Sequence, residues 1–187
     1  MEDSLHERGR AIEDLFFKQC DDKLLENLRK EATRKEIYEA FQHVSGIADH
    51  AALDALIEAG ITPESLHSLA LVPLIMVAWA DKTMDPPEKA AILEAAEGAG
   101  VRPGSASYAS MESWLRKKPT SDLFDAWKAY ILALKPTLES AAYTQLKHSI
   151  LGQAEKVAES AGGILGLGNK VSQEERKVLN ELAAAFE

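Results

Sequence analysis

The longest uncharged stretch of the chain is an apolar run from Leu69 to Ala80. A run of this length, rich in Ala and Leu, predicts a helix that is buried on nearly all sides rather than a strand. Pro73 lies inside the run, and a proline deep within a helix costs about 3 kcal/mol. We therefore expect the helical segment to be divided near residue 71.

A polar turn follows this run and predicts the start of the next helix. Asp85 stands at the N-cap position before two prolines that favour a first helical turn, and Glu88 completes a capping box. Ser172 and Glu175 repeat the same arrangement near the end of the chain. Further helix starts are predicted at Ser4, Thr33, Asp49 and Thr62, and Gly60 is placed to end a helix in the left-handed conformation.

Apolar side chains elsewhere recur with the period of a helix. In the N-terminal segment they stand at positions 12, 16, 20, 24 and 28, opposite a charged face, which predicts an amphipathic helix of about seven turns. β-branched residues never alternate over the length of a strand. The pattern predicts an all-α protein, a bundle of about eight to nine helices.

Two segments of the chain resemble each other. Residues 82–94 align without gaps on residues 169–181, so that Asp85 matches Ser172 and Glu88 matches Glu175. In each copy an apolar helix precedes the turn and an amphipathic helix follows it. We therefore expect two pseudo-symmetric helix-turn-helix units that pack through their apolar faces.

These motifs also resemble a known family. An apolar helix followed by Ala80-Asp81-x-x-Met84-Asp85-x-x-Glu88, and later Gly-Gly-x-x-Gly-x-Gly with Lys170-Val171-Ser172-x-Glu174-Glu175, is similar to the TerB-like (tellurite-resistance B) domain. The resemblance covers residues 66–187, and it divides the chain into an N-terminal helical segment, 1–61, and a TerB-like domain, 62–187. Lys82 stands where the family commonly has Gly, and Gly168 where the second copy often has Asp.

The resemblance carries expectations about fold and function. It implies an all-α bundle with two-fold pseudosymmetry and a link to tellurite and other stress responses. It further implies a role in metal sensing or in assemblies near the membrane. The expected function is that of a non-enzymatic interaction module.

The composition narrows the classes of partner and compartment. A net charge of −9 and a pI near 5.1 argue against nucleic-acid binding, which needs a basic surface. The single cysteine, Cys20, cannot form an internal disulfide and suits a reducing compartment. The acidic N-terminus is not a secretory signal. We expect a cytoplasmic protein, with peripheral membrane contact left open.

The carboxylates of the two turns are the candidate site. Asp81, Asp85, Glu88 and Glu175 offer the oxygen ligands that Ca²⁺ or Mg²⁺ prefers. Structural capping already accounts for Asp85 and Glu88, so Asp81 is the most informative of the four. The turn is not an EF-hand, because Pro86 takes the position where that loop needs Gly.

Other candidate sites have simpler interpretations. The glycine-rich run 162–168 lacks a phosphate-loop pattern and is interpreted as a helix end, or as a surface presented to a partner or a lipid. The five histidines show no metal-ligand spacing, and Cys20 lies on an apolar stripe. The leading hypothesis is a module with protein partners, with its first helix as a docking or homo-oligomerisation arm. The rival hypotheses are a metal-dependent or carboxylate acid/base enzyme, and a purely structural protein without a site.

Overall fold

The computed structural model describes residue 24, residues 26–161 and residues 171–187. Within these ranges the chain forms eight α-helices and two 3-10 segments and contains no strand, which confirms the predicted all-α class. The helix start at Ser4, the stripe around Cys20 and the glycine-rich run 162–168 lie outside the described residues.

The first described helix, α1, is continuous over residues 26–45. The predicted helix start at Thr33 is therefore wrong. The Thr33 hydroxyl donates to the carbonyl of Arg29, 3.0 Å away, which is the bond that a threonine makes inside a helix rather than at its start. Neither Gly nor Pro occurs between residues 26 and 45, so nothing in this stretch interrupts the helix.

The next elements begin and end where their caps predict. Helix α2, His50–Glu58, has Asp49 as its N-cap, and the Asp49 carboxylate accepts from the backbone N–H groups of Ala51 and Ala52. Gly60 follows it with a φ of +77°. A 3-10 helix, Pro63–Leu71, leads into helix α3, Val72–Ala78, with Pro73 in the first turn of α3. The predicted division near residue 71 is confirmed.

The remaining helices complete the bundle. They are α4 (Pro86–Gly98), α5 (Ala106–Arg116), α6 (Ser121–Leu134), α7 (Ser140–Ala161) and α8 (Gln173–Ala184), with a 3-10 turn at Lys135–Thr137. No single described helix has both the length and the apolar content of a membrane span. Among the described helices, only the segments His50–Glu58 and Pro63–Ala78, taken together, reach that length and apolar content, and the angle between them is 84°.

Helix α3 lies at the centre of the core. Leu74, Ile75 and Val77 have no exposed surface, and α3 packs against the first 3-10 helix and against α4, α6, α7 and α8. This confirms the helix predicted from the apolar run. Phe41 of α1 and Leu56 of α2 belong to the same core, so the second half of the segment 1–61 packs on the bundle.

Candidate functional site

The first acidic turn, residues 81–88, connects α3 to α4. The exposed carboxylate of Asp81 accepts from the backbone N–H of Thr83 at 3.0 Å and from its hydroxyl at 2.9 Å. These two bonds fold the chain back on itself immediately after α3. Asp81, which the helix cap does not require, therefore has a structural role within the turn.

Lys82 sets the direction of this turn. Its φ of +76° lies in the left-handed region, which glycine adopts far more readily than lysine. Its backbone N–H donates to the carbonyl of Trp79 at 3.2 Å and ends α3. The position at which the family resemblance has Gly is thus one where the backbone conformation favours Gly.

Glu88 lies inside the turn rather than on its surface. Only 4% of its surface is exposed, and its Oε2 accepts from the backbone N–H of Asp85 at 2.8 Å. Asp85 holds the N-cap position of α4 in an extended conformation. The predicted capping pair is confirmed, and it buries a carboxylate.

The second acidic turn, residues 171–175, repeats this geometry before α8. The backbone N–H of Ser172 donates to Glu175 Oε2 at 2.6 Å, and the backbone N–H of Glu175 donates to the Ser172 hydroxyl at 3.1 Å. Glu175 is 7% exposed. Both turns therefore place a capping glutamate in the interior of the protein.

The two turns share one electrostatic environment. Burial raises the pKa of Glu88 to about 7, against the opposing effect of the hydrogen bond from the Asp85 backbone. The negative charges of Glu175, Asp85 and Asp81 raise this pKa further. The structure thus brings Asp81, Asp85 and Glu175 within electrostatic reach of Glu88.

The same four residues do not form a ligand cage in the described part of the chain. No group of three or more His, Cys, Asp or Glu side chains there has an arrangement that could hold a metal ion. Three of the four carboxylates, those of Asp81, Glu88 and Glu175, accept hydrogen bonds from their own turns. The Ca²⁺ or Mg²⁺ site at residues 81–88 stays a prediction.

Neither buried glutamate is in the wall of the five clefts described between the helices. The clefts of about 260 to 510 Å³ between the described helices have other residues in their walls. An enzyme that used this pair for acid/base chemistry would need such a cleft beside it. The hydrogen bonds that the two glutamates accept shape their own turns.

Sequence reasoning missed the contacts that fix the first turn to its neighbours. The ammonium of Lys118 donates to the carbonyl of Trp79 at 2.6 Å, and the indole N–H of Trp79 donates to the carbonyl of Trp114 at 2.9 Å. A cation at the C-terminal end of α3 also complements the helix dipole. No local pattern signals these bonds, because the partners are more than thirty residues apart.

A second polar cluster joins α1 to α2. Arg34 Nε donates to the Tyr38 hydroxyl at 2.6 Å, and both side chains contact the carboxylate of Asp54. The bonds from Arg34 and Tyr38 lower the pKa of Asp54. The ring of His50 packs against that of Tyr38, with 4.7 Å between the centroids. The i, i+4 spacing of Arg34 and Tyr38 was visible in the sequence, but their shared partner was not.

Comparisons with known proteins give no relative for this chain. No family model matches it, and no curated protein or solved structure shows significant similarity. What the protein does must therefore be inferred from its own residues.

Proposed function

We propose that this chain is a non-enzymatic, TerB-like helical module that acts through protein contacts in a stress response. Two helix-turn-helix units, α3–α4 and α7–α8, form the body of the module. Helix α4 packs on α7, α8 packs on α3, and α3 packs on α7. If α3 is exchanged with α7 and α4 with α8, the contact between α4 and α7 becomes the contact between α8 and α3. These two contacts are therefore equivalent under a two-fold pseudo-axis, which supports the proposed symmetry.

The equivalent roles of Glu88 and Glu175 also support the two-unit arrangement. Each glutamate accepts from the backbone N–H of the residue that caps its own helix, and each is buried. The effect of Glu175 on the pKa of Glu88 supports the proposal that both turns lie at the same end of the bundle. This is the arrangement that the TerB resemblance implies.

The exposure of α1 is the observation that carries the proposed interaction. Every residue from 26 to 36 is helical and exposed, so this part of α1 buries little of its surface against the rest of the described chain. Leu24 and Leu28, four residues apart on one face, are 57% and 53% exposed. An isolated helix of this length is marginal in water, and an apolar partner stabilises it.

We take the partner of α1 to be a second copy of this chain. The exposed part of the helix carries both signs of charge, with Glu26, Glu31 and Glu36 among Arg29, Lys30, Arg34 and Lys35. A helix face with mixed charges can pair with another copy of itself without strong repulsion. The partner helices then cover Leu24 and Leu28 reciprocally.

Light scattering on the full chain tests this interaction. The wild type should have a mass that is a multiple of 20.4 kDa, and the double variant Leu24→Glu/Leu28→Glu should fall to the monomer mass. Leu132→Glu is the matched control, because Leu132 is 52% exposed but lies on α6. A wild type that is monomeric at all concentrations, or an oligomer that survives the double variant, contradicts the proposal.

A divalent cation at the first acidic turn is the second part of the proposal. The observation that favours it is the mutual repulsion around Glu88, since three neighbouring carboxylates raise its pKa. A bound Ca²⁺ or Mg²⁺ relieves such repulsion. Calorimetric titration with each ion should give heat for the wild type and for Asp122→Ala, but not for Asp81→Ala. Absence of heat from the wild type ends the cation proposal and leaves the α1 interaction untouched.

A further inference from the structure

A second feature of the fold is a cleft that has no residue of either acidic turn in its described wall. It lies between the first 3-10 helix, α6 and α7, and has a volume of about 360 Å³. Trp127, Ile131 and Ile150 form buried parts of its wall, and Ala70 lies on the side of the 3-10 helix. This volume falls at the lower end of the range for clefts that bind small molecules.

Acidic side chains, lysine and arginine are absent from the described wall of the cleft. Although 27% of the chain is charged, the described residues that line this cleft include no Asp, Glu, Lys or Arg. Polar groups come from His67, Tyr130, Ser149 and Gln153, among a majority of aliphatic and aromatic residues. Such a wall can form one or two hydrogen bonds with a ligand, and its described residues offer no carboxylate, ammonium or guanidinium group to pair with a charged one.

Tyr130, one of the polar residues in the wall, can act as a neutral hydrogen-bonding partner. Burial raises the pKa of its hydroxyl, so the group stays protonated over the whole physiological range. A protonated hydroxyl both donates and accepts hydrogen bonds. It therefore suits an alcohol or another uncharged polar group.

We propose that this cleft binds a small, uncharged and mainly apolar molecule that carries a single hydrogen-bonding group. The apolar wall supplies the binding free energy, and the few polar groups orient the ligand. A ligand that carried a carboxylate or an ammonium group would lose its hydration without gaining a counter-charge. The ligand class is thus an aromatic or aliphatic alcohol rather than an acid or an amine.

Titration of the full chain with 2-naphthol and 1-octanol, each matched with its acid, tests the proposal. Calorimetry measures binding, and the filling variants described next locate it. We expect the dissociation constant for 2-naphthol to be about 100 μM or lower. 2-Naphthoate should bind at least about tenfold more weakly, because its carboxylate must be desolvated.

Two filling variants and one control locate the binding. Ala70→Phe fills the cleft from the 3-10 helix and Ser149→Trp fills it from α7; both positions are exposed, so the core stays intact. Ala90→Phe, on an exposed position of α4 away from the cleft, is the matched control. Circular dichroism confirms that each variant is folded.

The outcomes separate clearly. Loss of 2-naphthol binding in a folded filling variant, with the control unchanged, supports the proposal. It is overturned if neither alcohol binds the wild type at about 1 mM, if both filling variants bind like the wild type, or if 2-naphthoate binds as tightly as 2-naphthol.

Discussion

Lys82 adopts a backbone conformation that its own side chain disfavours. Among the described residues, it alone has a positive φ without being a glycine. The Cβ of an L-residue meets the neighbouring carbonyl in this region, which costs about 1 kcal/mol. Lys82 is exposed, so its side chain gains little from packing in return.

Replacing Lys82 with glycine should therefore stabilise the protein by about 0.5 to 1 kcal/mol, because the steric cost disappears. Urea denaturation measures the change in the free energy of unfolding. Gly100→Ala is the matched control: Gly100 has a φ of +75° with no atom near its missing Cβ, so this variant should lose stability. A destabilised Lys82→Gly would mean that the lysine side chain makes a contact worth more than the strain.

Glu88 should make the stability of the protein depend on pH. Its pKa is about 7 in the folded state, against a reference value of 4.5 that represents the unfolded state. Between pH 4.5 and 7 the folded state therefore binds more protons than the unfolded state. The contribution of Glu88 to stability is then greatest below about pH 4.5 and falls as the pH rises to 7, by up to about 3 kcal/mol. A buried and repelled carboxylate thus opposes folding when it ionises.

Glu88→Gln removes this ionisation while keeping an oxygen for the Asp85 backbone N–H. We expect the free energy of unfolding of this variant to fall less between pH 4.5 and 7 than that of the wild type. The comparison uses urea denaturation at several pH values. Glu94→Gln, on an exposed position of the same helix, should keep the slope of the wild type. Equal slopes in all three proteins would refute the raised pKa.

At the scale of the element, α1 is a helix with two unlike halves. Residues 26–36 are exposed all round, whereas Phe41 near the C-terminal end has no exposed surface. The cluster of Arg34, Tyr38 and Asp54 lies where these halves meet and fastens α1 to α2. The outer half therefore depends on this cluster for its only described tertiary bonds.

Removing the shared acceptor should loosen the outer half of α1. Asp54→Ala leaves Arg34 and Tyr38 without their common partner, so the amide hydrogens of residues 28–38 should exchange several-fold faster. The global loss of stability should stay near 1 kcal/mol, because the ion pair is largely exposed. Hydrogen exchange read by mass spectrometry follows α1 and, as a reference, α7 in the same experiment. Unchanged exchange in α1, or equally faster exchange in α7, would contradict the assigned role.

The helix caps show why some elements could be predicted and others could not. The caps at Asp49, Asp85 and Ser172 depend on neighbours two to three residues away, so local sequence is sufficient. Thr33 carries the same local pattern but lies inside a longer helix, because continuing the helix satisfies its hydroxyl. A capping pattern indicates where a helix can start, and only its context decides whether it does.

At the scale of the whole molecule, the burial of α3 followed from the apolar run, and the all-α class followed from the helical period of the apolar residues along the rest of the chain. The candidate site was predictable only in part. The identity of its four carboxylates could be read from the two turns, but the burial of Glu88 and the influence of Glu175 on it depend on how the helices pack. The bond from Lys118 to Trp79 depends on the same packing, across 39 residues of sequence. Such long-range effects leave no periodic signal.

The coupling between the two acidic turns is the property on which the proposed two-unit architecture rests. If the turns lie at one end of the bundle, Glu175 destabilises the ionised form of Glu88, and Glu175→Gln should lower the pKa of Glu88.

The gain in stability at pH 7 from Glu88→Gln should then be smaller in a Glu175→Gln background than in the wild type. Glu174→Gln, an exposed neighbour in α8, should leave that gain unchanged. A double-mutant cycle by urea denaturation measures the coupling, and its disappearance at about pH 4, where Glu88 is protonated, distinguishes charge repulsion from altered packing. Strictly additive effects at pH 7 would mean that the turns act independently, and the proposed pairing of the two helix-turn-helix units would then lose its electrostatic support.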